Sequence, residues 1–585
     1  MKVVRIGNSS GFWGDDPTAL FRMANAGELD YITCDYLAEV SMSILSKQQQ
    51  KQPDLGYVAD FLKHLKKALP AIQKNKIKII TNAGGNNPKA LALEVHQVLK
   101  SQEISLKVAY VEGDNIMPLL QQNSSQMLPN MENGEVLSAE KILSANAYIG
   151  LEGLLEALRM DADFIIAGRV TDSALALAPM VHELGWELDD YNRLGAGMIA
   201  AHCIECGTQV TGGNFTDWKE IKDWGNIGFP IIEMQEDGVF FVTKHYNTGG
   251  IVTVNTVKEQ LVYEIADPGR YFSPDVLADL RELIVEQVSE NKVKVSNAKG
   301  RSGSPFYKVS ATYQVGYRAM GEIIISGSDA LEKARLFQSI FWEKVQTDFY
   351  RKNVEYVGYN ACHGGIVTNH QPNEILLRLY VHDLNFQKVK TFSEMVASLI
   401  LSGPQGVAVV GGRPRIQEVM AYWPFLIPKN EVEIRVFELE SSKTSVLVVE
   451  SSSSPIAEES EFIDLSHQVV QPRNGKLISL SEICLARSGD KGDSVNIGVI
   501  ARNNKAFNYL KTYLMPSLLQ KWFGEKVLGN IKRYELPSML AYNFMLEEAL
   551  DGGGTKALRI DAQGKTFAAA LLSQKVVVPD EILND

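Results

Sequence analysis

The chain has 585 residues, more than one hydrophobic core organises, so two or three domains are expected. Its 45% hydrophobic and 22% charged content is that of a globular protein and excludes collagen, coiled coil and wholesale disorder. A formal net charge of −12, from 70 acidic against 58 basic residues, argues against a nucleic-acid partner, but not against a small anionic substrate held in a local basic pocket.

The opening Met1-Lys2-Val3-Val4-Arg5-Ile6-Gly7 reads as a strand rather than a signal peptide. No run approaches about 18 apolar residues, so no membrane span is expected. Five scattered cysteines (Cys34, Cys203, Cys206, Cys362, Cys484) form no disulfide framework and suit a reducing, cytoplasmic setting.

Lys2–Ile6 is the first predicted strand, and Asp16 with Pro17 reads as the cap and first position of a helix. Leu29–Thr33, Lys76–Thr81, Leu106–Val111 and Asp163–Ala167 are further strands, the last followed by a helix through Val181. Nearly continuous apolar strands alternating with helices imply an α/β body with a largely parallel sheet, and ligands are expected beyond the carboxyl ends of its strands. From about Gly212 to Ala457 the signals are those of an α+β region packed on that body. Val239–His245, Ile251–Val257, Val309–Val315 and Gly321–Ser326 read as strands, and Pro274–Glu290 and Asp329–Thr347 as helices. Ser451-Ser452-Ser453-Ser454-Pro455 and the acidic residues to Asp464 carry a linker composition.

Beyond it, Lys476–Ala486, Ser494–Ala501 and Ile531–Leu536 are predicted strands, with Arg487–Asp493 a polar turn. Lys505–Phe523 and Ser538–Leu550 read as helices, and Ala557–Ile560 with Thr566–Leu571 as a closing strand pair. The expected organisation is a body over 1–457, subdivided near 210, a linker over 458–475, and a small α+β domain over 476–585.

Five segments concentrate polar chemistry. Gly7–Asp16 is a Gly-rich turn after a strand, but it lacks dinucleotide spacing, and Asp15-Asp16 repels phosphate. Asn82–Pro88 offers two glycines and the amides of Asn86 and Asn87 as a site wall or, equally, a helix cap. In Gly168-Arg169-Val170-Thr171-Asp172, Arg169 suits a carboxylate and Asp172 a base; an ion pair between the two is the plainer reading. On a helix His202 faces Glu205 and Cys206, so Glu205 would tune His202 as an acid or base, against a satisfied helix-end histidine. The adjoining Gly212-Gly213-Asn214 turn would line the same pocket. Cys203 and Cys206 lack a second pair at ligand spacing, so no metal is expected. Finally, Arg487-Ser488-Gly489-Asp490-Lys491-Gly492-Asp493 places Arg487, Ser488 and Lys491 to meet an anion and Asp490 as an acid, or else forms a charged hairpin. No G-x-S-x-G elbow, H-E-x-x-H, kinase set or dinucleotide fingerprint is present, which disfavours hydride transfer and ATP-driven chemistry.

Taken in order, Arg5–Asp15, Thr81–Pro88, Ile166–Ser173, Glu205–Phe215 and Ala486–Asp493 resemble the acyclic terpene utilisation (AtuA-type) family over nearly the whole chain. The resemblance implies a long AtuA N-terminal domain joined to a short ferredoxin-like domain. It also implies a place in the breakdown of citronellol, geraniol or branched acyl-CoA thioesters. On that basis the expected protein is a cofactor-independent lyase or hydratase acting on an acyl-CoA or carboxylate, with CoA present only as part of the substrate. An acyl-CoA hydrolase or CoA transferase with Asp172 or Asp490 as nucleophile is the alternative enzyme. A non-catalytic subunit of a catabolic complex is the alternative from another class. A homo-oligomer is expected.

Overall fold

Short apolar strands separated by amphipathic helices lay down the centre of one large sheet. In the computed structural model, which describes residues 2–366, 371–450, 458–467, 469 and 474–583, these strands are Val3–Asn8, Tyr31–Cys34, Lys78–Thr81, Phe164–Ala167 and Val108–Glu112, in that spatial order. All four pairings among them are parallel: Ile6 lies opposite Tyr31, Ile32 opposite Ile79, Ile79 opposite Phe164, and Val108 opposite Phe164. Helices Ala19–Ala26, Asp60–Asn75 and Pro88–Ser101 bury Met23, Phe61, Leu65, Leu91 and Val95 in a core shared with Ile32, Ile79 and Phe164. Helices Ala174–Leu184 and Tyr191–Glu205, apolar along most of their length, also pack on this sheet.

The expectation of a largely parallel sheet is corrected. The sheet has eleven strands, and parallel pairing is confined to those five at its centre. Pro230–Gln235, Phe240–Lys244, Lys292–Ser296 and Ile284–Ser289 extend one edge antiparallel, and Glu433–Glu438 and Thr444–Val448 the other. These strands come from the stretch read as an α+β region packed on the body. Antiparallel neighbours need only a hairpin, so late segments can be added to a finished parallel centre.

Several element assignments also change. Ile251–Val257 is β-branched, yet Thr253 caps the helix Val254–Leu261: its hydroxyl accepts from the Thr256 amide at 3.2 Å, and Thr256 Oγ1 accepts from the Thr253 amide at 2.9 Å. Pro274–Glu290 forms strands Val276–Asp279 and Ile284–Ser289, because pairing with Lys299–Ser302 and Lys292–Ser296 overrides its helical spacing. The first helix begins at Ala19, with Asp16 instead accepting from the Thr18 amide and hydroxyl.

Two compact units account for the chain. The first comprises Met1–Thr312, Tyr422–Glu461 and Glu535–Ala541; the second comprises Tyr313–Ala421, Phe462–Tyr534 and Tyr542–Asp585. In the second, Tyr317–Ser326 pairs antiparallel with Glu374–Asp383 over a core containing Phe337, Phe341 and Phe392. Its C-terminal part carries a four-stranded sheet ordered Cys484–Lys491, Ser494–Ala501, Ala541–Leu546, Ile531–Leu536. Ala541–Leu546 is a strand, not a helix, because its place between Ser494–Ala501 and Ile531–Leu536 in the sheet overrides its helical spacing. The expected helix over Lys505–Phe523 divides into Asn504–Tyr513 and Pro516–Phe523, because Pro516 cannot continue the first and starts the second. Phe567–Leu572 is a helix rather than a closing strand. The Ser451–Pro455 stretch of the expected linker lies outside the described residues. Among the described residues no helix is long and apolar enough to cross a membrane.

Candidate functional site

Each of the five parallel strands releases a polar side chain at its carboxyl end. Asn8 closes the first; Asp35 and Asn82 directly follow the second and third; Asp114 and Arg169 stand two residues beyond theirs. All five are at most 6% exposed. Polar groups buried to this degree persist only when paired, and here each has a partner within the group or on an adjoining element.

Asn82 Nδ2 donates to Asp35 Oδ1 at 2.6 Å, and Asn82 Oδ1 accepts from the Tyr36 amide at 2.8 Å. Asp114 Oδ2 accepts from Asn146 Nδ2 at 2.8 Å and from the Arg169 amide at 2.9 Å. Asn146 Nδ2 also reaches Asn86 Oδ1 at 3.1 Å. Gly168 makes the Asp114 contact feasible: a Cβ there would lie 2.4 Å from Asp114 Oδ1.

Arg169 carries the only formal positive charge of this group. Its guanidinium carbon lies over the Tyr148 ring, 4.0 Å from the ring centre, and its Nη1 donates to Asp172 Oδ1 at 2.6 Å. Its Nε is buried without a hydrogen-bond partner, so the guanidinium retains donor capacity. Burial disfavours its charge, yet Asp172, Tyr148 and Asp35 together hold its pKa well above the ordinary arginine value. Asp35 is pushed well above the ordinary carboxylate range by burial and then by the charge of Asp172, with Arg169 and Asn82 opposing and Glu205 adding to the rise. Burial also raises Asp114, to about 6, against the Arg169 and Asn146 hydrogen bonds.

The Tyr191–Glu205 helix ends beside this group. Asn8 Nδ2 donates to the carbonyls of Ile204 at 2.5 Å and Glu205 at 3.1 Å, which ties the first strand to the helix end. Gly11 packs on the Cys206 backbone, where a Cβ would come within 2.8 Å. His202 Nε2 donates to the Gln260 carbonyl at 2.9 Å, and His202 Nδ1 lies 2.7 Å from Glu205 Oε1. A carbonyl can only accept, so Nε2 bears a proton, and one further proton is held between Nδ1 and Oε1. Both ring nitrogens are thereby engaged, and His202 orients Glu205. Tyr271 packs edge-on against the imidazole, with its hydroxyl well above its ordinary pKa through burial and the charges of Glu205 and Asp172.

The remaining predicted residues are placed as follows. Asn87 caps the helix Pro88–Ser101, its Oδ1 accepting from the Ala90 amide at 3.2 Å. Gly212 has φ 113° and ends a short 3₁₀ turn, the Gly213 amide donates to Thr208 O, and Asn214 is exposed at φ 56°. The Arg487–Asp493 segment belongs to the other unit and is not a loop: Arg487 to Lys491 lie in the strand Cys484–Lys491, and the turn is Gly492-Asp493 alone. Arg487 is buried, Ser488 Oγ donates to Gly564 O at 2.6 Å and accepts from the Ala568 amide at 3.0 Å, and Asp490 meets Lys565 at 3.4 Å. Among the described residues no group of three or more His, Cys, Asp or Glu side chains is placed to hold a metal ion.

Asp35, Asp114 and Asn146 lie outside the five polar segments, whereas Asn82 opens the Asn82–Pro88 segment. For Asp35 and Asp114 the available signal was positional: an Asp within two residues of the end of an apolar, parallel-type strand; Asn146 lies inside the antiparallel strand Ser144–Ala147.

Residues 4–437 match the family model described as acyclic terpene utilisation family protein AtuA, and residues 478–577 match the AtuA ferredoxin-like domain. No curated protein and no solved structure matches the chain.

Proposed function

The chain belongs to the acyclic terpene utilisation family AtuA, and from that premise we propose that it is a cofactor-independent lyase or hydratase acting on a branched acyl-CoA or related carboxylate. One observation carries the reading. A nearly fully buried arginine with unfilled donor capacity lies among carboxyl groups of different environment at the carboxyl edge of a parallel sheet. Arg169 supplies the fixed positive charge that a carboxylate or a developing enolate oxygen requires. Asp35, held toward its protonated form, is the acid; Asp172, 40% exposed beside the guanidinium, is the base. The amides of Asn82 and Asn146 hold Asp35 and Asp114 in place, and His202 holds Glu205 at the rim. Hydration or carbon–carbon cleavage next to a thioester needs an acid, a base and an oxyanion partner, and all three are present in this set.

The test is incubation of the purified chain with a panel of unsaturated and 3-hydroxy acyl-CoAs, read by mass spectrometry. Gain or loss of water, or chain cleavage, supports the proposal; no mass change across the panel rejects it. The exposure of Asp172 also favours a second reading, thioester hydrolysis or CoA transfer through an acyl-aspartyl intermediate. Capture of that adduct with hydroxylamine separates the two.

A further inference from the structure

Behind the loop that carries Arg169 and Asp172 lies a second set of buried ionisable groups, which the reaction above does not use. Glu152 opens the helix Glu152–Arg159, Asp275 precedes the strand Val276–Asp279, and Lys429 follows the strand Gln417–Pro428. The two carboxyl groups meet over Gly150, where a Cβ would lie 2.1 Å from Asp275 Oδ1 and 2.6 Å from Glu152 Oε2. The Leu151 amide donates to Asp275 Oδ1 at 2.9 Å. Glu152 Oε2 and Asp275 Oδ2 are buried without hydrogen-bond partners at normal geometry, and so is the hydroxyl of Tyr307. Lys429 Nζ is directed elsewhere: it donates to the Pro274 carbonyl at 2.6 Å and lies 5.6 Å from the Tyr307 ring centre. Two carboxylates facing one ammonium leave this dry set with an excess negative charge, and one proton removes it.

We propose that Glu152 and Asp275 hold a single proton between them and, in the neutral set they then form with Lys429, position the Gly168–Asp172 loop. The link to the loop is Thr171. Its amide donates to Ile149 O at 2.9 Å, one residue before Gly150, and its hydroxyl approaches Asp275. Close carboxyl groups titrate as a pair, so the second ionisation is displaced upward. Burial and then the charge of Glu152 push Asp275 up to about 7; burial raises Glu152 as well, and Lys429 opposes both. Glu152, Lys429, Thr171 and Tyr307 are the groups that face Asp275 from the packed elements. Once the second proton site empties, two like charges meet over Gly150 and the loop loses its support. Glu152 and Asp275 are therefore positioning residues. The inference concerns the loop of the proposed site but needs no substrate, so it fails or holds apart from the reaction class.

The experiment is hydrogen–deuterium exchange of the full chain, following the peptide that spans Gly168–Ser173, at about pH 6 and about pH 8, with the intrinsic pH dependence of exchange divided out. The native chain is expected to lose about tenfold in protection at the higher pH. Asp275→Asn and Glu152→Gln should each abolish that difference, and the double variant should add nothing. Equal protection at both pH values in the native chain overturns the proposal. So does a pH difference that survives in either folded variant. Should Asp275→Asn not fold, Glu152→Gln alone decides.

Discussion

The carboxyl edge of the parallel strands and the Arg487–Lys491 segment look alike in sequence: arginine, aspartate and glycine beside apolar runs. Their structures differ in one respect. At the sheet edge the polar residues lie at or just beyond the strand ends, where pairing stops and side chains can meet those of neighbouring strands, as Asn82 meets Asp35. In Arg487–Lys491 they lie within a strand, opposite Gly498 to Ser494, and Ser488 is fixed by Gly564 and Ala568. Polar residues after a strand can form a site, whereas polar residues inside a strand serve mainly its packing.

Substitutions should separate the two regions. The largest effect is expected for Arg169→Met. Loss of the guanidinium leaves Asp35 and Asp172 without their counter-charge and should lower turnover at least about a hundredfold and stability by about 2 kcal/mol. Turnover assays with urea unfolding measure both. Asp35→Asn keeps the size of the side chain but removes the acid. It should cost about a hundredfold in rate and less than about 1 kcal/mol in stability. In the other unit Ser488→Ala should do the reverse, costing about 1–2 kcal/mol with no change in rate. A rate loss there without a stability loss would erase the contrast.

A smaller effect concerns pH. Asp114 is raised to about 6 in the folded chain, above the ordinary carboxylate value. The folded state therefore holds this proton more tightly than the unfolded state. Its contribution is complete below about pH 4 and fades as pH rises toward about 6. Asp114→Asn should flatten that part of the stability profile, as read by thermal unfolding across the range. The smallest change is expected for Asn87→Ala, about 1 kcal/mol from the lost helix cap and no loss of activity.

The parallel centre was legible because each of its strands is an apolar run bounded by turn residues. The antiparallel flanks were not, since pairing between Pro230–Gln235 and Val3–Asn8, or between Glu433–Glu438 and Val108–Glu112, is set by tertiary contact and leaves no local mark. Within the site, Arg169, Asp172, His202 and Glu205 stood out as motif residues. Asp35 and Asp114 did not, because each is a single polar residue whose meaning depends on its neighbours across the sheet. The reverse holds at Thr253, where a local capping pair decided the helix and a β-branched composition misled.

The central claim is that Arg169 receives the negatively charged oxygen of the substrate at the sheet edge. Binding of a branched acyl-CoA, followed by calorimetry on the native chain, Arg169→Lys and Arg487→Lys, tests it most directly. The account predicts that Arg169→Lys weakens binding at least about tenfold, because an ammonium cannot supply the guanidinium's fork, while Arg487→Lys leaves it unchanged. Unchanged affinity in Arg169→Lys, or a loss confined to Arg487→Lys, would contradict it.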